Sequence, residues 1–237
     1  MLIVKNGLKD QNSIISFPMD FIWSSSLKNY LRILRKIFNQ SFILRIFHIM
    51  NHIAVIYGVL SYSWAWIFLG ICWWYTIGTL GISIAFHRVL SHKSVEFPFL
   101  LRNFFIFLGS LACGGSALTW AGVHRSQHSN TDREGDPHSP KVIGWFRSYF
   151  HFWGNTSIKR KYVKDLMRDP FVVFMHKNYF LVLFFWVLFL SMLGLPWFIF
   201  LFCFPASIAF HAYGHINCIG HLVGYRNFKT KDSSFNN

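Results

Sequence analysis

Residues 46–86 contain no Asp, Glu, Lys or Arg, and residues 178–224 form a second charge-free run. A helix crosses the apolar core of a bilayer in about 20 residues, so each run is long enough for two crossings. Ser61, Tyr62 and Ser63 mark a turn within the first run, and Gly194-Leu195-Pro196 breaks the second. The pattern predicts two helical hairpins, with spans at about 46–62, 65–86, 178–195 and 197–217. Pro205 is expected to kink the last of them, because proline has no N–H to give to the preceding turn.

A third apolar block, residues 97–123, is interrupted only by Arg102 and Asn103. Charge placement decides how to read it. Of the 23 Lys and Arg, seven precede residue 46, thirteen lie within 87–177 and three follow residue 224. None falls in the turns at 61–63 and 191–197. Basic residues gather on the cytosolic side of membrane proteins, which places both termini and the whole of 87–177 there. A fifth crossing would strand half of that basic segment on the far side. Residues 97–123 are therefore expected to dip into the membrane or lie along it without crossing.

Composition agrees. A mean hydropathy of +0.35 with only 14% charged residues excludes disorder and departs from the roughly 25% charge of soluble domains. The net charge of +14 raises nucleic-acid binding as a rival. The cations, however, are excluded from the long apolar runs instead of being interleaved through a soluble fold, and the rival is rejected. Cys72, Cys113, Cys203 and Cys218 are scattered without a Cys-x-x-Cys pair and read as small buried apolar residues. Residues 1–20 hold no apolar stretch of signal-peptide length. Lys28, Arg32, Arg35 and Lys36 are spaced like the polar face of a surface helix. No internal repeat is found. Residues 1–237 are expected to form a single domain: an all-α, multi-pass integral membrane protein with four spans and a cytosolic, histidine-rich helical cap.

The twelve histidines are grouped. His87 and His92 occur in His-Arg-Val-Leu-Ser-His just past the second span, and His124 and His128 in His-Arg-Ser-Gln-His just past the third apolar block. His221 follows Asn217 by four residues, so the two share a helix face at the cytosolic end of the fourth span. All five reach one membrane surface at helix ends, and neutral imidazoles suit a transition-metal dication. Spacing five does not put His87 and His92 on one α-helical face, which weakens that pair taken alone. His48, His52, His151 and His176 read as interfacial or hydrogen-bonded structural residues. His211 and His215 lie within a span, where an ionisable group is a functional candidate by default, yet they read as supporting or structural residues ahead of ligands.

The words around these histidines resemble the membrane fatty acid desaturases of the acyl-CoA Δ9 or stearoyl-CoA type. Gly81-Ile-Ser-Ile-Ala-Phe-His87-Arg-Val-Leu-Ser-His92-Lys-Ser94 is similar to their first histidine box. Gly115-Ser116, Trp120, His124-Arg125, His128, Asp132 and Asp136-Pro137-His138-Ser139-Pro140 resemble the second box and its tail. Asn217, His221, Gly224 and residues 232–237 resemble the stretch leading into the third. The resemblance implies a non-haem di-iron oxidoreductase that uses dioxygen to place a cis double bond in a fatty acyl chain, delivered as acyl-CoA or acyl-lipid. It implies His87, His92, His124, His128 and His221 as iron ligands, with Asn217 acting through a water. Trp120, Asp132, Asp136 and His138 would support the ligands. An electron donor such as a ferredoxin or a small b-type cytochrome, and membrane lipid, are the implied partners.

Two departures modify the expectation. Gln127 stands where the second box carries a histidine, and an amide oxygen is the weaker iron ligand. The third box, Gly-Glu-Gly-Trp-His-x-x-His-His-like in the family, is absent from these 237 residues. Five of nine family histidines are present, so iron occupancy is expected to be incomplete and this chain inactive by itself, unless a separate C-terminal chain completes it. The alternatives are a di-iron lipid hydroxylase on the same scaffold, a haem-binding membrane protein using span histidines such as His52 and His211, and a non-catalytic lipid-binding protein.

Overall fold

The computed structural model describes residues 40–150, 158–229 and 233–236. The basic segment with Lys28, Arg32, Arg35 and Lys36, together with His151 and Asp232, lies outside the described residues. The described residues are helical, and their only strand-like pairing is an isolated antiparallel bridge between Tyr225 and Asn236.

The charge-free runs fold into long helices. Helix α1 is Gln40–Ser61 and α2 is Trp64–Ser91, with Tyr62 and Ser63 between them. The second half of α2, Ile77–Ser91, is wound as a π-helix and carries the chain past the expected end of the second span. Helix α3, Phe99–Leu111, and helix α4, Ala117–Asn130, divide the third apolar block between them. The 13 residues of α3 reach roughly 20 Å, well short of a bilayer core of about 30 Å.

Helix α5, Pro170–Lys177, meets α6, Tyr179–Leu193, at a bend of 66°. Asp169 caps α5, accepting hydrogen bonds from the N–H groups of Phe171 and Val172 at 3.0 Å. Gly194, with φ +120°, then turns the chain into α7, Leu195–His221. Three helices are long and apolar enough to cross a membrane (Leu44–Ser61, Trp64–Ser91 and Leu195–His221), and the bent α5–α6 pair makes a fourth if taken as one span.

Pro205 leaves its mark on α7 as a change of winding. Residues Ile199–Cys203 are π-helical and lead directly into Phe204-Pro205. Proline cannot donate to Leu201, four residues back, and that carbonyl accepts instead from the Trp73 indole of α2 at 3.0 Å. The proline irregularity thus becomes a link between two helices.

Helix α7 is central: 61% of its apolar window is buried, against 17% for those of α1 and α2. Phe200, Ile199, Phe202 and Cys203 of α7 pack against α1, α2 and α6. A second core lies under the histidine-bearing helices, with Phe86, Leu90, Ile106, Ala117, Ala121 and Val172 buried together. Here α2 and α3 touch backbone to backbone. A Cβ on Gly81 would lie 2.3 Å from the Gly109 nitrogen, and one on Gly109 would lie 2.6 Å from the Phe86 ring.

Candidate metal centre

The π-winding of α2 resolves the spacing of its two histidines. In an i→i+5 ladder, residues five apart stack along the helix, and the His92 N–H donates to the His87 carbonyl at 2.9 Å. The two imidazoles end with ring centroids 4.5 Å apart. Helix α4 supplies the facing pair with ordinary α-helical spacing, and the His124 and His128 Nε2 atoms are 3.0 Å apart. Between the helices, His92 Nε2 and His124 Nε2 are 2.9 Å apart. The ligand atoms of His87, His92, His124 and His128 all lie within 4.8 Å of one another.

These residues fit a metal ion. Nitrogens on one ion at about 2.1 Å each are at most ~4.2 Å apart, so small ring rotations close the shell. Ligation requires neutral imidazole, and the site favours it. Burial first, then His128, His87 and His92, push His124 down to about 3. His128 is lowered by burial and by His92, with Asp136 acting in the opposite sense. Trp120 stacks on His124, centroids 5.0 Å apart and planes at 18°, and fixes the ring's orientation.

Arg125 ties the two helices together. It donates to the carbonyls of Leu90 and Ser91 at the end of α2, to the Tyr162 carbonyl at 2.8 Å, and to both carboxylate oxygens of Asp165 at 2.7 and 3.0 Å. The last carbonyls of a helix lack intrahelical partners, and this guanidinium satisfies two of them next to His92. The Arg125 hydrogen bonds outweigh burial and hold the Asp165 carboxyl well below the usual range; Lys93, 2.8 Å away, adds to this. The motif His124-Arg125 was visible in the sequence, whereas Asp165 was not singled out. It is one of six acids set among the thirteen cations of residues 87–177, and nothing in the sequence sets it apart from the others.

His221 is placed separately. The α-helical winding of α7 ends at Asn217, and a 3-10 turn, Ile219–His221, carries the histidine, so the two residues do not share an α-helical face. His221 Nδ1 lies 3.1 Å from the Ser233 hydroxyl and 3.8 Å from Asp132. Asp132 accepts from the hydroxyls of Ser139 and Ser233 at 2.6 and 2.8 Å and from the Ser233 N–H. Burial pushes its carboxyl up, but these hydrogen bonds and His221 outweigh burial and hold it below the usual range. Asp136 is buried and accepts from the N–H groups of Asp132, His138 and Ser139. The Asp-Pro-His-Ser-Pro word thus folds as a turn that holds Asp132 against His221.

One cavity of about 1080 Å³ joins the two places. His87, His124, His128 and His221 all line it, as do Gln127, Asn217 and His138. From there it continues between apolar side chains of α1, α6 and α7.

The other histidines form separate contacts. His52 Nε2 and His211 Nε2 are 3.0 Å apart, with rings perpendicular and centroids 5.1 Å apart. The Tyr149 hydroxyl meets His211 Nδ1 at 2.9 Å. Two axial histidines of a haem need the iron and its macrocycle between their nitrogens, and this pair leaves no such gap. His176 is engaged by the Ser116 hydroxyl at 2.7 Å.

No family model matches the chain. Individual proteins do. The chain is 29% identical to an sn-1 stearoyl-lipid 9-desaturase of Anabaena variabilis, over 81% of its own length and 72% of the relative's. It is 33% identical to Delta-9 acyl-lipid desaturase 2 of Arabidopsis thaliana, over 68% of the chain and 55% of the relative. It is 32% identical to an icosanoyl-CoA 5-desaturase of Limnanthes douglasii, over 82% of the chain and 56% of the relative. The chain therefore spans little more than half the length of the two plant proteins.

Proposed function

Since the chain belongs to the fatty acid desaturase family, we propose that it serves iron- and dioxygen-dependent introduction of a cis double bond into a fatty acyl chain held in its cavity. The observation that supports this most directly is the meeting of four imidazoles, three of them (His87, His124 and His128) at the wall of a cavity that continues as an apolar passage. Iron bound there would supply the redox chemistry with dioxygen that an unactivated C–H bond demands. His87, His92, His124 and His128 are proposed as its ligands, with Trp120 orienting His124 and Arg125 holding the two helices in register. His221 is proposed as a ligand of a second iron, fixed through Nδ1 by Ser233 and Asp132, with Asn217 and Gln127 acting through water. The apolar wall excludes water and straightens the substrate against the histidines.

Five imidazoles are fewer than two six-coordinate irons need. These five imidazoles by themselves are expected to hold fewer than two fully coordinated irons, and a second full shell would need donors beyond them. An electron donor of the ferredoxin or small cytochrome class completes the cycle. The proposed placement is multi-pass, with α3 not crossing and the histidines on the cytosolic side.

Metal content tests the ligand set without relying on turnover. Replacing His87, His92, His124 or His128 by Ala should each lower iron affinity by more than the roughly 10–100-fold that loss of a ligand-orienting residue costs, whereas His215→Ala should not. Full iron retention in His124→Ala would overturn the assignment. In a completed protein, a product that gains oxygen in place of a double bond would favour the hydroxylase reading.

A further inference from the structure

Tyr149 belongs to the wall of the cavity that carries the proposed iron ligands, and behind it stand two imidazoles, His211 and His52, that ligation does not use. The tyrosine ends a short helix, Trp145–Tyr149, and its ring lies against α7 where Gly214 leaves room. A Cβ on Gly214 would lie 2.9 Å from Tyr149 Cζ. Phe150 and Phe210 pack beside the ring, with centroids 5.0 and 6.5 Å away. His211 of α7 presents Nδ1 to the hydroxyl at 2.9 Å, and His52 of α1 meets the other nitrogen of that imidazole.

The proton positions follow from the acceptors. A backbone carbonyl only accepts. His52 Nδ1, 2.6 Å from the His48 carbonyl oxygen, and His215 Nδ1, 2.8 Å from that of His211, therefore carry their protons. A neutral His52 then has a bare Nε2, so across the 3.0 Å gap the donor is His211 Nε2–H. That leaves His211 Nδ1 bare, to accept from Tyr149. His215 Nδ1, 3.4 Å from the same hydroxyl, already holds a proton and cannot accept. Burial pushes the Tyr149 phenol above its ordinary value and keeps the O–H in place to donate. One directed chain results, from Tyr149 to His211 to His52 to the His48 carbonyl. Histidines linked in this way inside spans are the form that proton relays take. An oxidised phenol is a strong acid, so a phenol gives up an electron readily only where a base in contact takes its proton.

We infer that Tyr149 is a redox-active tyrosine, which lends one electron to an oxidant in the cavity while His211 and His52 keep its proton. The natural oxidant rests on the desaturase reading: a one-electron oxidant derived from dioxygen, which that electron reduces. The Tyr149 O–H bond breaks and its proton goes to His211 Nδ1, while His211 passes its Nε2 proton to His52 Nε2. The products are a neutral tyrosyl radical, a neutral His211 of the other tautomer and a His52 imidazolium that carries the one positive charge left by the electron. An electron from an external donor, with both protons moving back, restores the chain. Oxidising equivalents formed in an empty cavity thus have a reversible destination other than the metal-binding histidines.

Photochemical oxidation tests this without turnover. The full chain in detergent is flashed with a ruthenium polypyridyl sensitiser and persulfate, and tyrosyl radicals are followed by electron paramagnetic resonance. A long-lived signal should remain after radicals at exposed tyrosines such as Tyr75 have decayed. Tyr149→Phe, which keeps the ring, should abolish that signal, and Tyr75→Phe should leave it unchanged. His211→Ala should shorten its lifetime, and imidazole added to the buffer should lengthen it again, a rescue that a purely structural histidine would not show. Deuterium oxide should prolong the signal in the unmodified chain, since its decay returns the same protons. No long-lived signal in the unmodified chain, or one that survives Tyr149→Phe, would overturn the inference. Equal lifetimes in the two solvents would overturn the relay without any substitution, so a misfolded His211→Ala does not decide the outcome. Because the sensitiser supplies the oxidant, iron content of the same preparation separates the two claims. The Tyr149 radical in a chain that binds no iron would sink the desaturase reading alone, and iron binding without that radical would sink this inference alone.

Discussion

Arg125 has no direct part in ligation, yet its loss should be felt at the metal. Arg125→Ala removes donors from Leu90, Ser91, Tyr162 and Asp165 together and frees the end of α2 that bears His92. We expect iron affinity to fall by about 10–100-fold, as for other residues that orient ligands. Arg125→Lys should restore little of it, since a point charge cannot reach carbonyls and a carboxylate in one plane. Titrating iron into the three proteins checks both statements. Asp165 gives the same clamp a pH dependence. Its carboxyl is held below its ordinary value in the folded state, so its contribution is present above about pH 4 and is lost as pH falls through the depressed folded value. The melting temperature should therefore exceed that of Asp165→Asn by a constant margin from pH 8 to 5, and the margin should close only in stronger acid. The carboxylate is 38% exposed, so solvent screening keeps that margin small. The sequence makes the histidines conspicuous because their type is chemically rare. It leaves the clamp hidden, because Arg and Asp are common and their partners are 34 to 40 residues away.

At the scale of helices, the contact of Gly81 with Gly109 sets how closely α2 and α3 approach. Gly81→Ala would drive its Cβ into backbone atoms, which cannot rotate aside, and should destabilise the protein by about 1–3 kcal/mol. Gly78→Ala, where a Cβ meets nothing within 4 Å, should be neutral or slightly stabilising. Thermal melts in detergent distinguish the two. The helices themselves were legible, because a charge-free run needs no periodicity to be recognised, and Ser61 and Gly194 mark where α1 and α6 stop. Winding was not legible. Hydropathy is blind to whether a buried helix is α or π, so spacing five counted against His87 and His92, the pair that π-winding joins. The place of His221 escaped for a similar reason, since counting four residues from Asn217 assumes an α-helix that ends there.

For the molecule as a whole, the proposed topology puts Ser94 and Ser139 on the same side of the membrane. Cysteines introduced at both should react with an impermeant maleimide only when the cytosolic face is open; reaction from opposite faces would reject the arrangement. The bend between α5 and α6 has a further consequence. The 15 residues of α6 extend roughly 22 Å, less than the ~30 Å apolar thickness of an average bilayer. If the bent α5–α6 pair is the fourth span of the proposed topology, so short a straight segment would make the surrounding lipid adapt by thinning, at a cost of fractions of a kcal/mol per ångström of mismatch. Phe180 and Phe184, which border the cavity, are on this same helix. Local thinning there would draw lipid headgroups toward the midplane, beside the part of α6 that lines the cavity. The protein should accordingly melt at a higher temperature in vesicles of shorter-chain lipids than in thick, sterol-rich ones, so that membrane thickness itself becomes a determinant of where it works.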